Sequence, residues 1–272
     1  MKVSGLFVYP VKGCRGVAVE AVGVGDRAME NDRRFMVIDA DGTFITQRKR
    51  PEMAMIEASV SGDVLQLAAP GRTPLSVETR AEGDTRGVAV WDTPCDVVDQ
   101  GDAVAAWLSA YLGTPARLVA MASGYRRPMP EKLPAEHGGR LTFADAAPLL
   151  IISASSLDDL NGRLATPLPM DRFRPNIVVT GCAAYAEDTW TRVRVGGIEL
   201  DRLIPCGRCA VTTTDQATGE RTGKEPLATL AGYRRDADFG VLFGSYYAHL
   251  GTGRLAVGDA VEVVSDTVSP SA

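Results

Sequence analysis

The chain has 272 residues, of which 45% are hydrophobic and 23% charged, and its formal net charge is −5. That length and balance suit a globular protein of one large or two ordinary domains and exclude a disordered chain. The negative balance gives no footing for nucleic acid or an anionic membrane surface, and no apolar stretch reaches membrane-spanning length.

The opening residues "MKVSGLFVYPVKGC" lack the apolar core of a signal peptide, so we expect a cytoplasmic protein. The cysteines, Cys14, Cys95, Cys182, Cys206 and Cys209, are odd in number and scattered. They make a poor disulfide framework and fit a reducing compartment. With only His137 and His249, a histidine zinc site or a Ser-His-Asp triad has almost no material.

In chain order, short β-rich runs occupy 3–11, 34–46, 56–69, 74–79 and 87–98, with turn chemistry such as "DADG", "SGD" and "APGR" between and within them. That spacing predicts a barrel or sandwich. The period then changes: Val104, Trp107, Leu108, Tyr111 and Leu112 fall on one helical face, with Gly-Thr-Pro as the stop. The segment 123–140 is rich in Pro, Gly and charge and reads as a connection, with a domain boundary at its start. Beyond it come a buried strand and capped helix in 148–165, a strand in 175–181, and a hairpin around Gly196-Gly197. A β-branched run follows from Cys209 to Asp215, then a short helix begun by Pro226 with Glu225 as its cap. Strands over 241–250 and 253–265 end the pattern, the latter reading as a barrel-closing pair with a compact turn. The expected fold is mostly β with a few helices (α+β): a β-barrel domain over 1–122, a second β-barrel domain over 123–268, and a disordered tail over 269–272.

The cations of this acidic chain are clustered. Lys12 and Arg15 flank "GC", Arg33 and Arg34 precede Phe35, and Arg48, Lys49 and Arg50 stand together. Arg172 and Arg174 bracket Phe173, and Arg208 lies between Cys206 and Cys209. Each cluster falls at a strand end or turn, where separate strands can deliver side chains to one cleft. Arginine forks with N–H groups of glycine-containing turns suit a phosphate or pyrophosphate; solvated surface charge is the plain alternative for any single cluster.

The pair Cys206/Cys209 has four readings. Structural zinc needs a second pair, which is missing. A redox dithiol needs a helix N-terminus, and "CAVTTTD" is too β-branched to begin a helix. Two buried thiols acting as small hydrophobes, or one thiolate bound to a metal held mainly by something else, both remain open on spacing alone.

Taken together, "YPVKGCRG", "DRRFMVID", "FRPNIVVTGCAAYAEDTW", "PCGRCAVTTTDQATGE", "KEPLATLAGYR" and "FGSYY" resemble the MOSC-domain family, in order from about Val3 to Val264. Within that family the motifs resemble those of the mitochondrial amidoxime-reducing component and its bacterial counterparts. The resemblance implies a MOSC N-terminal β-barrel domain, a MOSC β-barrel domain, and a molybdenum–pterin cofactor in the cleft between them. It implies Cys209 as the molybdenum ligand and catalytic residue, and Lys12 and Arg34 at the pterin phosphate. Gly13, Asp145, Ala146, Ala147, Arg174, Asn176, Cys206, Gly207 and Tyr246 are implied as further cofactor-binding positions. Gly13, Ala146 and Ala147 replace small hydroxyl residues of relatives, which leaves backbone N–H groups for those contacts. Asp188 and Trp190 are candidates for a substrate rim, although Trp190 more naturally packs a strand.

The implied activity is reduction of small N-hydroxylated substrates (amidoximes, hydroxylamines, N-hydroxylated base analogues) with electrons from a separate iron–sulfur or flavin protein. The competing function is a sulfur or cofactor carrier with a persulfide on Cys209. No nucleic-acid or membrane partner is expected.

Overall fold

The computed structural model describes residues 1–129 and 140–266. Its largest sheet has nine strands among the described residues. The order is Val17–Val19, Lys2–Val8, Ile177–Thr180, Leu149–Ser153, Gly240–His249, Ile198–Gly207, Trp190–Val195 and Val261–Asp266, with Arg235–Asp236 paired to Gly240–His249 off that path. Leu149–Ser153 is buried at every position because it is a central strand, parallel to Ile177–Thr180 and antiparallel to Gly240–His249. A continuous apolar run such as "LLII" is what a strand covered on both faces requires. Lys2–Val8 also belongs to this sheet, antiparallel to Ile177–Thr180. The first strand therefore crosses the expected boundary at 122/123 and ties the two halves together.

The remaining N-terminal chain forms a four-stranded sheet and a three-stranded sheet. The first runs Phe35–Ile38, Arg117–Met121, Thr93–Asp99, Thr85–Val90; the second is Glu57–Ser61, Val64–Ala69, Arg72–Glu78. The helix Asp102–Leu112 lies where the 3.6-residue period places it and stops at Gly113 in the left-handed region. It buries Val104, Trp107, Leu108 and Leu112, and Trp107 Nε1 donates to Thr73 O at 2.7 Å. Burying one such leucine contributes ~2 kcal/mol, so Leu108→Ala would loosen helix and barrel together.

Two local expectations are corrected. The strands within "GRLAVGDAVEVV" are not partners: Gly253–Ala256 pairs with Ala21–Val24, and Val261–Asp266 with Trp190–Val195. The β-branched run after Cys209 is a 3-10 helix, Ala210–Thr213, because the Thr212 and Thr213 hydroxyls bond back to the carbonyls of Cys209 and Ala210. The Gly196-Gly197 hairpin forms as expected, with Val195 opposite Ile198. Most of the expected connection (130–139) and the tail (269–272) lie outside the described residues. No helix among the described residues is long and apolar enough to cross a membrane.

One core gathers Val11, Phe35, Met53, Leu65, Trp107 and Leu118; a second gathers Leu6, Ile151, Val179, Val193, Leu200 and Tyr247. The turns at 9–13 and 143–147 run between them and border a cleft.

Candidate cofactor cleft

The cleft has a volume of about 300 Å³. Of the sequence-derived site residues, Lys12, Gly13, Asp145, Ala146, Ala147, Arg174, Asn176, Cys206, Gly207, Cys209 and Tyr246 line it together. They come from five separated stretches of chain, so their convergence is a property of the fold. Arg34 does not line it. Its guanidinium donates to Asn31 Oδ1 (3.3 Å) and Thr79 Oγ1 (3.2 Å), and its neighbour Arg33 faces the cleft. Arg33 turns in with φ +46 and its N–H donates to Tyr9 O; Arg34 then leads into an extended strand, where neighbours point to opposite sides. No alternation distinguishes the two arginines in the sequence, because Phe35–Ile38 is buried throughout.

One wall is made of locked charges. Lys12, 6% exposed, donates through Nζ to Phe143 O (2.8 Å) and to Asp145 Oδ1 (2.5 Å). Burial alone raises the Asp145 carboxyl, but the Lys12 ammonium, the Trp91 N–H and Arg48 together bring it down to about 2. Burial lowers the Lys12 ammonium, and Asp145 opposes that. The buried Arg127 supports this turn by donating to the carbonyls of Thr142 and Ala144. Arg33 donates to Asp32 Oδ2 (2.5 Å), and Asp32 Oδ1 accepts the Tyr9 N–H (3.0 Å). The Tyr9 ring lies between two guanidiniums, Arg33 at 4.2 Å and Arg174 at 4.3 Å from its centroid. Such stacking holds forks in place while leaving their edges free. Arg174 sits at φ +55 and donates through Nη1 to Cys14 O at 2.7 Å. Cys14 itself is fully buried in the N-terminal core and does not line the cleft.

Asn176, 1% exposed, stitches three strands. Its Oδ1 accepts from Arg33 Nη1 (3.0 Å) and Leu150 N (3.2 Å), and its Nδ2 donates to Phe7 O (3.2 Å). Its amide is thus occupied in positioning Arg33.

The opposite wall carries sulfur. Cys206 ends the long strand Ile198–Gly207 and is buried at 2% exposure. Arg208 Nη1 donates to Cys206 Sγ at 2.9 Å, Nη2 donates to Phe173 O, and its backbone N–H donates to Val241 O. Gly207 is needed because a Cβ there would meet Phe239 O at 2.2 Å. Gly13 serves the facing turn with φ +81. Cys209 is half-buried, and among the described residues its thiol enters no hydrogen bond. Tyr246 brings a hydroxyl that burial, with Cys206 beside it, keeps protonated far above its ordinary range.

Arg15, Lys49, Arg50 and Arg172 do not line the cleft; Arg15 pairs with Glu57, and Arg172 is buried against Asp215. Asp188 and Trp190 do not form a rim: Asp188 pairs with Arg234, and Trp190 is core. The short helix is Leu227–Ala231 with Pro226, not Glu225, at the N-cap position; the Glu225 carboxylate still accepts the Thr229 N–H of its first turn. Arg33 and Arg48, which the sequence placed in cation clusters without singling them out as site residues, line the N-terminal side of the cleft together with Trp91, which the sequence reading did not single out.

Among the described residues the lining cations are Lys12, Arg33, Arg48, Arg174 and Arg208, against the single carboxylate of Asp145. In a chain of net charge −5 that is a concentrated anion site. No three His, Cys, Asp or Glu side chains gather as a metal site among the described residues. The donor set therefore fits an anionic, phosphate-bearing group that carries its own metal ligands and accepts one thiolate from the protein.

A model of the MOSC N-terminal beta barrel domain matches residues 1–115, and one of the MOSC domain matches 138–262. Mitochondrial amidoxime reducing component 2 of Bos taurus is 36% identical over 275 residues, covering 95% of this chain and 82% of that protein. The chain is a MOSC-domain protein of the amidoxime-reducing component family. Component 2 of Rattus norvegicus is 37% identical over 278 residues, and component 1 of Homo sapiens 36% over 275; each comparison covers 95% of this chain and 82% of the relative. Both matched units contribute residues to the cleft, and the resemblance drawn from "FRPN" and "PCGRC" extends over nearly the whole chain.

Proposed function

We propose that this MOSC protein is a molybdenum–pterin-dependent oxidoreductase that reduces N-hydroxylated nitrogen. In the reaction the N–O bond breaks, two electrons and two protons enter, and the oxygen leaves as water. The cofactor, when bound, supplies the oxygen-accepting metal and its electron pair. The names of the relatives describe reduction of amidoximes, and the observation that carries the reading here is Cys209, a thiol free of hydrogen bonds in a cation-lined cleft.

The residues divide the work. Arg33, Arg174, Arg48 and Lys12 bind the anionic part of the cofactor, and Cys209 provides a soft thiolate for the metal. Arg208 holds Cys206 and the Phe173 carbonyl, which fixes the loop that presents Cys209. Asp145, held at about 2, stays ionised and anchors Lys12 instead of donating a proton. Tyr246 holds a proton at its Oη inside the cleft. Electrons come from a separate iron–sulfur or flavin protein.

The test is metal and pterin analysis after expression in a host that makes the cofactor, followed by turnover of an amidoxime with a chemical reductant. Roughly one molybdenum per chain together with N-reduction is the expected result. Metal-free protein with a labile sulfur on Cys209 would instead identify a sulfur carrier.

A further inference from the structure

Local structure leaves one residue of the cleft unexplained. Trp91 and Asp92 form the two-residue loop between Thr85–Val90 and Thr93–Asp99, closed by the pairing of Val90 with Thr93. Trp91 has φ +55, and Asp92 is not among the positive-φ residues. A positive φ confined to the first loop position is the pattern of a II′ turn, where glycine is the ordinary occupant. A bulky side chain there is an outlier, and strain of this kind gathers at functional sites. Burial does not compensate it. Trp91 is 46% exposed, whereas Trp107 is 6% and Trp190 3% exposed.

The ring is nevertheless fixed in place. Its Nε1 donates to Asp145 Oδ1 at 3.0 Å, the Arg48 guanidinium lies 4.6 Å from its centroid, and Phe44 meets it edge-on at 5.3 Å. Asp145 is held in turn by Lys12. A large apolar ring, strained into its turn, anchored by its N–H to the cation wall and half open among the cleft residues, is built to receive a flat group.

We infer that Trp91, its ring backed by Arg48, is a substrate platform on which planar, conjugated N-hydroxylated substrates such as aryl amidoximes stack. Small aliphatic amidoximes gain nothing from it. The inference rests on the proposed N-reduction and narrows its substrate class.

The test compares benzamidoxime and acetamidoxime on cofactor-loaded wild type, Trp91→Gly and Trp91→Phe, all driven by a chemical reductant. Trp91→Gly raises the ratio of the benzamidoxime KM to the acetamidoxime KM about tenfold, the scale of one aromatic stacking contact. Trp91→Phe keeps most of the preference. The unfolding temperature of Trp91→Gly does not fall, because glycine relieves the turn. Equal losses on both substrates, or none on benzamidoxime, overturn the platform. A turnover-free titration separates the two claims. Benzamidoxime quenches the emission of the one strongly exposed tryptophan in wild type, and this quenching is absent in Trp91→Phe. If wild type reduces neither amidoxime, the proposed function has failed, and the titration alone decides the platform: no quenching refutes it.

Discussion

The two walls of the cleft solve opposite problems. On the charged wall three cations are tied: Lys12 to Asp145, Arg33 to Asp32 and Asn176, Arg174 to the Tyr9 face and Cys14 O. On the sulfur side Arg208 takes up Cys206 and leaves Cys209 unbonded. Locked charges bind a fixed anion without reorganising, whereas a ligand atom must stay free until its metal arrives. The same spacing, three residues apart, thus yields one structural and one available thiol.

The largest expected effect comes from breaking the locked wall. Asp32 is fully buried and carries the Arg33 pair and the Tyr9 N–H. Asp32→Ala leaves a largely buried guanidinium uncompensated and should lower stability by ~3–5 kcal/mol in urea denaturation. A loss below about 1 kcal/mol would show that solvent already reaches Arg33.

The sulfur wall gives a smaller and asymmetric effect. Cys206→Ser shrinks a buried group and disturbs the Arg208 contact, so ~1–2 kcal/mol is expected. Cys209→Ser, half-exposed and unbonded, should stay within ~0.5 kcal/mol of wild type. Equal costs in thermal unfolding would erase the distinction between the two cysteines.

The smallest effect is in pH. The Asp145 carboxyl lies lower folded, at about 2, than its ordinary 3.8. Its contribution is therefore present above that ordinary value and is lost as the pH falls toward 2. Because the side chain is half-exposed, the slope is shallow. Lys12→Met should flatten stability across this interval in acid titration; an unchanged profile would mean that Trp91 and Arg48 suffice to hold the carboxylate.

Much of this was legible in the sequence. Turn chemistry and period changes located most strands and the helix Asp102–Leu112, and "FRPN" with "PCGRC" pointed to residues that meet in one cleft. The failures have physical causes. An all-buried strand hides the phase that would separate Arg33 from Arg34. Threonine hydroxyls that bond to the backbone turned an apparent strand into a 3-10 helix. The partner of each terminal strand is a long-range choice that a local pattern does not encode. Trp91 did leave a signal: a bulky residue opening the tight turn of "VWDTP" breaks the local rule.

The central claim is that the free thiol of the pair is the protein's ligand to the metal. Molybdenum X-ray absorption on cofactor-loaded wild type and Cys209→Ser measures it directly. The account predicts one sulfur neighbour fewer at molybdenum in the variant, with the pterin retained by the cation wall. An unchanged sulfur shell in a variant with full metal content would contradict it.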